Sequence, residues 1–351
     1  MKILQMVDVP WDSGLAHYAL ILAQGLNDEG HEVFVSATPG QKPWIKAHRL
    51  GLKTLPLVSL KGLGPLRRFV REHGIDVINA HTGSTHSLAV AAALGQSVAV
   101  VRTRSDARAI RRRPGGRFLY KHTQRVIAAA SYIRDSFLKE LKLPPKKVVT
   151  IYQGLAVEDF EPVPFPKAFV IGVVARLDPV KGHRYLLEAL SILKATYPSL
   201  RLRVIGQEEN IKIRDLQAIA ARLRVNSQVD FVGFQADVAK AMGECSIGAI
   251  PSIGSEAVSR VALEWMASGR PVVATKVGCL PEIVQPKKMG WLVEPKDAPA
   301  LAAALAKLLH DPAGTEVMGQ NAHAEARERF TMETFIGKTV AAYKAAIGEL
   351  E

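Results

Sequence analysis

Cysteine is nearly absent. The chain has 2 in 351 residues, Cys245 and Cys279, too few for a disulfide framework or a zinc-ligand spacing. The pair fits a reducing compartment, and each reads as a small buried apolar side chain. Aromatic residues make up only 6% against 48% hydrophobic, so the cores must be built from Leu, Val, Ile and Ala. Long apolar runs are missing as well. The longest, 88–101, is broken by Gly95, Gln96 and Ser97 and falls short of the roughly 20 residues a membrane span needs. The opening MKILQMVDVP carries Asp8 and lacks a signal peptide's apolar region, so it reads as a first β-strand. The expected location is cytoplasmic, with attachment to the inner face of a membrane left open. No Asp-x-Asp occurs anywhere and no Gly-x-Gly-x-x-Gly follows either domain's first strand. The first absence argues against a metal-held diphosphate, and the second ranks a nicotinamide dehydrogenase last.

Positive charge, by contrast, is plentiful. Lys and Arg number 46 against 33 Asp and Glu, a net +13, and the excess is uneven. Residues 1–165 hold 23 basic against 13 acidic groups, and the remainder 23 against 20. The peak lies between Arg102 and Arg125, with seven arginines from Arg102 to Arg117. Such a patch attracts phosphates on nucleic acid, lipid head groups or an acidic substrate. The bland alternative is a solvated arginine loop without a specific partner.

Apolar strand-like runs alternate with amphipathic stretches along nearly the whole length. Helices such as 15–29 and 63–73 are closed by Gly30 and Gly74, the usual helix stop. This rhythm predicts an α/β fold with parallel, doubly wound sheets. The segment EPVPFPK, with three prolines in five residues, reads as a stiff linker. It divides the chain into an N-terminal domain, 1–163, and a C-terminal domain, 164–331. Three helical stretches close the sequence, the last running through 332–351. Two Rossmann-like domains facing across a cleft are the expectation, with ligands at strand C-terminal ends.

Two segments could carry chemistry. After the first strand of the second domain comes Arg176-Leu-Asp-Pro-Val-Lys181-Gly182, two cations on a loop that opens a helix. A guanidinium fork and a mobile ammonium suit a diphosphate, and a helix N-terminus adds partial positive charge. Alone, it would be two exposed cations. The second segment, 251–284, places Glu256 and Glu264 eight positions apart across a loop running into a helix. Chance supplies such pairs in most chains of this length.

Taken in order, Arg176-Leu-x-x-x-Lys181-Gly182, VIGQ (204–207), VDFVGF (229–234), Pro251-Ser252, Glu256-x7-Glu264 and EWMASGRPVVATKVGCLPEIV (264–284) resemble the donor-side signature of the family-4 retaining glycosyltransferases, glycosyl transferases group 1, with the GT-B fold. The resemblance spans essentially the whole chain. It implies that Arg176 and Lys181 bind the diphosphate of a nucleotide sugar, UDP-, GDP- or ADP-linked. It further implies that Glu264 holds the ribose and that Glu256 sits beside the transferred sugar. Gly206, Val258, Ser259 and Arg260 complete the donor site, with backbone amides near 258–260 at a helix start. The family often has Gly-Phe-Gly after the first Glu, whereas this chain has Ala257-Val258-Ser259; Ser259 is also a candidate helix cap. In the first domain Ser13-Gly14 stands where the family usually has Gly-Gly, which singles out Gly14. His81 is chosen over His86 as the active-site histidine, because it ends a strand where the family often reads His-x-His. Arg102, Arg104, Arg111, Arg112 and Arg113 resemble the branch that builds lipopolysaccharide and surface polysaccharide, which implies an anionic glycan or glycolipid acceptor or contact with a membrane surface. No cofactor and no catalytic metal are expected, because the two cations replace a divalent ion, and no nucleic-acid partner is expected. The last helix is expected to cross back to the first domain.

The competing readings are a nucleotide-sugar epimerase on the same fold and a non-catalytic protein binding anionic lipid or RNA. A donor-only assay separates the epimerase. Nucleotide-induced thermal stabilisation, without nucleic-acid binding in moderate salt, disposes of the binding protein.

Overall fold

The computed structural model describes residues 1–11, 13–57 and 62–348. They form two compact units, 1–154 together with 332–351, and 155–331. The C-terminal segment therefore belongs to the first unit; its last residues, 349–351, lie outside the described residues. The division falls at 154/155, ahead of the proline segment at which the sequence reading placed it. Leu155 pairs with Thr331 in a short bridge, and the Arg270 guanidinium donates to the Val163 carbonyl at 2.8 Å while stacking over the Phe165 ring. The proline stretch is thus clamped onto the second unit rather than spanning two.

The first unit has seven parallel strands: β1 Lys2–Met6, β2 Glu32–Ala37, β3 Lys53–Pro56, β4 Val77–Ala80, β5 Ala99–Arg104, β6 Arg125–Ala128 and β7 Val148–Thr150. Their order is β3-β2-β1-β4-β5-β6-β7. Chain direction across the sheet reverses between β1 and β4, so the loops leaving those two strands diverge at a switch point. The strands are short and rich in Val and Ile, and β1, β4 and β5 are buried nearly throughout, as expected of a parallel sheet covered on both faces. β3 escapes the sequence reading because it is an edge strand with no fully buried residue. The C-terminal helix Met332–Ile347 packs Phe335 edge-on against Tyr18, with ring centres 5.0 Å apart.

The second unit has six parallel strands: β8 Val170–Val174, β9 Arg201–Ile205, β10 Val229–Gly233, β11 Ile247–Ile250, β12 Val272–Thr275 and β13 Gly290–Val293. Their order is β10-β9-β8-β11-β12-β13, with the switch point between β8 and β11. At that boundary Gly172 and Gly248 sit side by side across the two strands. A Cβ on Gly248 would come within 2.5 Å of the Trp265 ring, and one on Gly172 equally close. The glycine pair therefore makes the shallow bed on which Trp265 lies, and with it the helix Arg260–Ala267. Both cysteines are free and buried; burial pushes the Cys245 thiol up to about 12 and the Cys279 thiol upward as well, which disfavours the thiolate in both. Among the described residues no helix is long and apolar enough to cross a membrane.

Candidate active site

The two loops at the second unit's switch point are tied to each other. Leaving β8, Ala175 leads into Arg176-Leu177-Asp178, a single 3-10 turn Pro179–Lys181, and the helix His183–Leu193. Asp178 fixes this turn. Its Oδ1 accepts from the Val180 N–H at 2.9 Å, and its Oδ2 accepts from the Asn210 amide at 2.6 Å. Arg176 lies 3.7 Å from the same carboxylate. Burial pushes the Asp178 carboxyl up, but the Val180 amide, Asn210, Arg176 and Lys181 together hold it below the ordinary carboxylate range. Gly182 follows in the left-handed region, φ 72°, where any Cβ would overlap the Pro251 carbonyl. Only glycine allows the β8 and β11 loops to approach this closely. Ile253 then donates its N–H to the Val180 carbonyl at 2.8 Å, locking one loop on the other.

This closure brings Lys181 and Glu256 together. The Lys181 ammonium donates to Glu256 Oε1 at 2.6 Å, and the Ser252 hydroxyl donates to the same oxygen at 2.7 Å. Glu256 is 2% exposed. Its backbone carbonyl accepts from the Cys279 N–H at 2.8 Å and packs where a Cβ on Gly278 would stand, so the loop after β12 holds it from behind. Ser255 just before it is a non-glycine residue in the left-handed region, φ 65°, a conformation L-residues adopt at a cost.

The helix Arg260–Ala267 carries Glu264, whose Oε1 accepts from Arg260 one turn earlier at 2.5 Å. Burial pushes the Glu264 carboxyl above its ordinary range, partly offset by the Arg260 guanidinium. Val258 is half-buried and Arg260 exposed. Ser259 occupies the N-cap position but makes no side-chain cap bond, and its hydroxyl is buried without a partner among the described residues. The capping role expected of it is therefore corrected: at φ −102°, ψ 79° the side chain does not face the first-turn amides. Gly206 ends β9 at φ 148°, where a Cβ would overlap the Ala175 carbonyl. Arg176, Lys181, Gly206, Glu256, Val258, Ser259, Arg260 and Glu264 thus all lie on the segments leaving the C-terminal ends of β8, β9 and β11.

In the first unit, Gly14 is the first residue of the helix Gly14–Asp28, capped by Ser13, which accepts from the Ala16 N–H at 3.2 Å. A Cβ on Gly14 would meet nothing within 4 Å, so the protein itself does not demand glycine there. His81 leaves β4 fully buried. Its Nε2 lies 2.8 Å from Gln5 Oε1, and burial with the nearby Arg102 guanidinium lowers its pKa to about 3. His86 is on the following helix, its Nε2 2.8 Å from the Thr123 hydroxyl. That hydroxyl already donates to the Leu119 carbonyl at 2.7 Å, which makes His86 a structural donor. Beside His81, the Asp8 carboxylate accepts from the Thr82 and Ser84 hydroxyls, joining the loops after β1 and β4.

Arg102 does not belong to a surface. It is 2% exposed and donates to the Ala80 carbonyl at 2.8 Å, and burial pulls its pKa down to about 10. Its place on β5, interior to the sheet, overrides the charge pattern that grouped it with the loop. Arg104 is half-buried against Asp106 at 3.0 Å, whereas Arg111, Arg112 and Arg113 are exposed, with Arg112 donating to the Glu140 carbonyl at 2.9 Å. Asn210 was missed by the sequence reading, and Asp178 and Ser252 stood in its motifs without the hydrogen-bonding roles they have here. The Asp-Pro step after Leu177 is a turn-initiating signal that marks Asp178; Asn210, 32 positions away, carries no such mark.

Comparison with known proteins completes the picture. The family Glycosyltransferase Family 4 matches residues 13–159 and Glycosyl transferases group 1 matches 157–325. A phosphatidyl-myo-inositol mannosyltransferase of Mycolicibacterium smegmatis is 27% identical over 325 residues, covering 87% of this chain and 82% of that one. A D-inositol 3-phosphate glycosyltransferase of Segniliparus rotundus is 34% identical over 186 residues, 52% of this chain and 41% of its own length. A glycosyltransferase structure from Rickettsia africae superposes with a TM-score of 0.89 at 19% identity, covering 99% and 98% of the two chains. Anabaena HepE in complex with UDP gives 0.86 at 22%, covering 98% and 100%. The two doubly wound units give the GT-B fold of those structures, and both family matches are to glycosyltransferases, so the class is that of the GT-B glycosyltransferase enzymes. More narrowly, the chain belongs to family 4, the glycosyl transferases group 1.

Proposed function

We propose that the chain transfers a sugar from a nucleoside-diphosphate sugar to an acceptor hydroxyl with retention of anomeric configuration, using the second unit as the donor site. The observation that carries this reading is the cluster Arg176, Lys181 and Glu256 at the switch point between β8 and β11. There, Lys181 on a glycine-tightened loop pairs with Glu256, on the loop that leads into the helix that bears Glu264. Negative charge grows on the leaving diphosphate in the transition state, so preorganised cations and helix-start amides lower its energy most. Arg176 and Lys181 take the place of a divalent ion, and no cofactor is needed. Glu264 receives the ribose hydroxyls once Arg260 swings aside. The HepE structures with UDP and with UDP-glucose support a nucleotide-sugar donor.

For the acceptor, relatives named for phosphatidyl-inositol and inositol 3-phosphate support an anionic glycan or glycolipid. Exposed Arg111, Arg112 and Arg113 are the groups in this chain to meet it, at the inner face of a membrane and in surface-polysaccharide or lipopolysaccharide synthesis. The test is a thermal-shift panel of UDP-, GDP- and ADP-sugars, followed by transfer assays and NMR of the product anomer. One nucleotide series should raise the midpoint, corresponding to about 2.7 kcal/mol at a hundred times its Kd. No shift with any of them would sink the donor site.

A further inference from the structure

We infer that Gln5 and Tyr343 are positioning residues that hold the His81 imidazole as its Nε2–H tautomer and leave Nδ1 as a bare acceptor. The argument is a count of protons in a fully buried cluster. Gln5, Asn79, His81, Thr103 and Tyr343 are each 0% exposed. Tyr343 Oη sets both amides: its lone pairs accept from Asn79 Nδ2 and Gln5 Nε2, whereas with the amides turned over its single hydrogen would face two carbonyl oxygens. The Thr103 hydroxyl then donates to Asn79 Oδ1 at 2.8 Å. The two hydrogens on Asn79 Nδ2 go to Tyr343 Oη at 2.7 Å and Gln5 Oε1 at 2.9 Å, which leaves none for His81 Nε2, the more distant neighbour at 3.3 Å. Gln5 Nε2 donates to the same Tyr343 oxygen at 3.0 Å, so Gln5 is held with its carbonyl oxygen toward His81. That oxygen lies 2.8 Å from His81 Nε2. A carbonyl can only accept, so Nε2 must carry the hydrogen.

The ring is neutral on independent grounds. Burial beside Arg102 disfavours the imidazolium, and the tyrosines nearby, Tyr18 and Tyr343, are held protonated by burial. Nδ1 is therefore a lone pair, and it is buried without a hydrogen-bond partner among the described residues. A buried acceptor left unbonded is the exception in folded proteins. The group that satisfies it has to be a donor, and a sugar or acceptor hydroxyl has that chemistry. The role in turnover rests on the proposed transferase reaction, whereas the tautomer does not. It also gives the C-terminal helix a task. Tyr343, 262 positions after His81, is the post against which both amides are aligned.

The test is long-range nitrogen–proton NMR of imidazole-labelled protein, with His81 assigned by its loss in His81→Gln. The wild type should show Nε2 protonated and Nδ1 bare between pH 6 and 8. Gln5→Leu and Tyr343→Phe should shift the ring toward a mixture, whereas Gln5→Glu, which keeps an acceptor oxygen in place, should retain Nε2–H. In turnover, Gln5→Leu and Tyr343→Phe should lower kcat about tenfold or more, with the donor KM changed by less than about threefold, as when an imidazole loses the partner that sets its tautomer. A wild-type ring protonated at Nδ1 overturns the assignment even if no variant folds, and so does a Gln5→Leu ring unchanged from the wild type. A tautomer shift that leaves kcat intact overturns the positioning role. Absence of any transferase activity in the wild type would instead count against the proposed reaction, and the spectrum would still decide the tautomer.

Discussion

Lys181 and Glu256 answer to two demands at once, binding and stability. Glu256 is buried with one oxygen shared between Lys181 and Ser252, so removing the ammonium strands a carboxylate in the interior. Breaking one side of a buried pair costs about 3–5 kcal/mol, while replacing both partners with uncharged groups of similar volume is nearly neutral. Lys181→Ala should therefore lower the urea midpoint markedly and abolish turnover. The double variant Lys181→Met with Glu256→Gln should recover most of the stability and none of the activity. Equal loss of stability in single and double variants would show that the pair is not the source. Arg176→Ala is the cleaner probe, because its side chain is 45% exposed. It should change stability by less than about 0.5 kcal/mol and still weaken nucleotide binding and turnover together. At this scale the sequence was legible where charged groups stand in an ordered run of motifs: Arg176, Lys181, Glu256 and Glu264 do lie on the segments that leave β8 and β11. It was not legible where an uncharged group acts at long range: Gln5, Asn79 and Tyr343 converge only because β1, β4 and the last helix do.

Among the elements, the helix Arg260–Ala267 shows how a sheet positions a site residue. Trp265 lies on Gly172 and Gly248, and the residue before it is Glu264. Gly248→Val would force the indole off the sheet and tilt the helix. An overpacked core costs about 1–3 kcal/mol, and here the displacement also carries Glu264 away. The expected result is a loss of nucleotide-induced thermal shift larger than the loss of stability accounts for, measured against Gly64→Val. Gly64 is a fair control, because a Cβ there meets nothing within 4 Å. Nucleotide affinity equal to wild type in Gly248→Val would refute this linkage. The strand–helix alternation made the doubly wound class readable, since Val-rich runs and glycine stops are local signals. The bed under Trp265 was not, because a glycine in a strand reads only as a weak spot until its neighbour across the sheet is known.

Acidity acts on the molecule as a whole. Three histidines, His81, His86 and His183, are buried and neutral, with pKa values lowered by burial to about 3, about 3 and about 4. Unfolded histidine titrates near 6.5, so below that pH the unfolded chain binds protons that the folded chain refuses. The unfolded state is thereby favoured on acidification: stability falls as pH drops from about 6.5 toward 4, on the order of 1.4 kcal/mol per pH unit for each group. His183→Leu removes one of the three and should flatten this slope by about a third. An unaltered slope would mean that His183 does not contribute to it. The division into 1–154 with 332–351, and 155–331, leads to a further expectation. Two units with separate cores need not unfold together, and a ligand stabilises only what binds it. Calorimetry should resolve two transitions, of which the nucleotide raises one. Ending the chain at Thr331 removes the helix that covers β5 and β6 and places Tyr343 against Gln5. It should abolish the nucleotide-insensitive transition and leave the other in place, still raised by nucleotide. Loss of both would show that the two units depend on each other for folding.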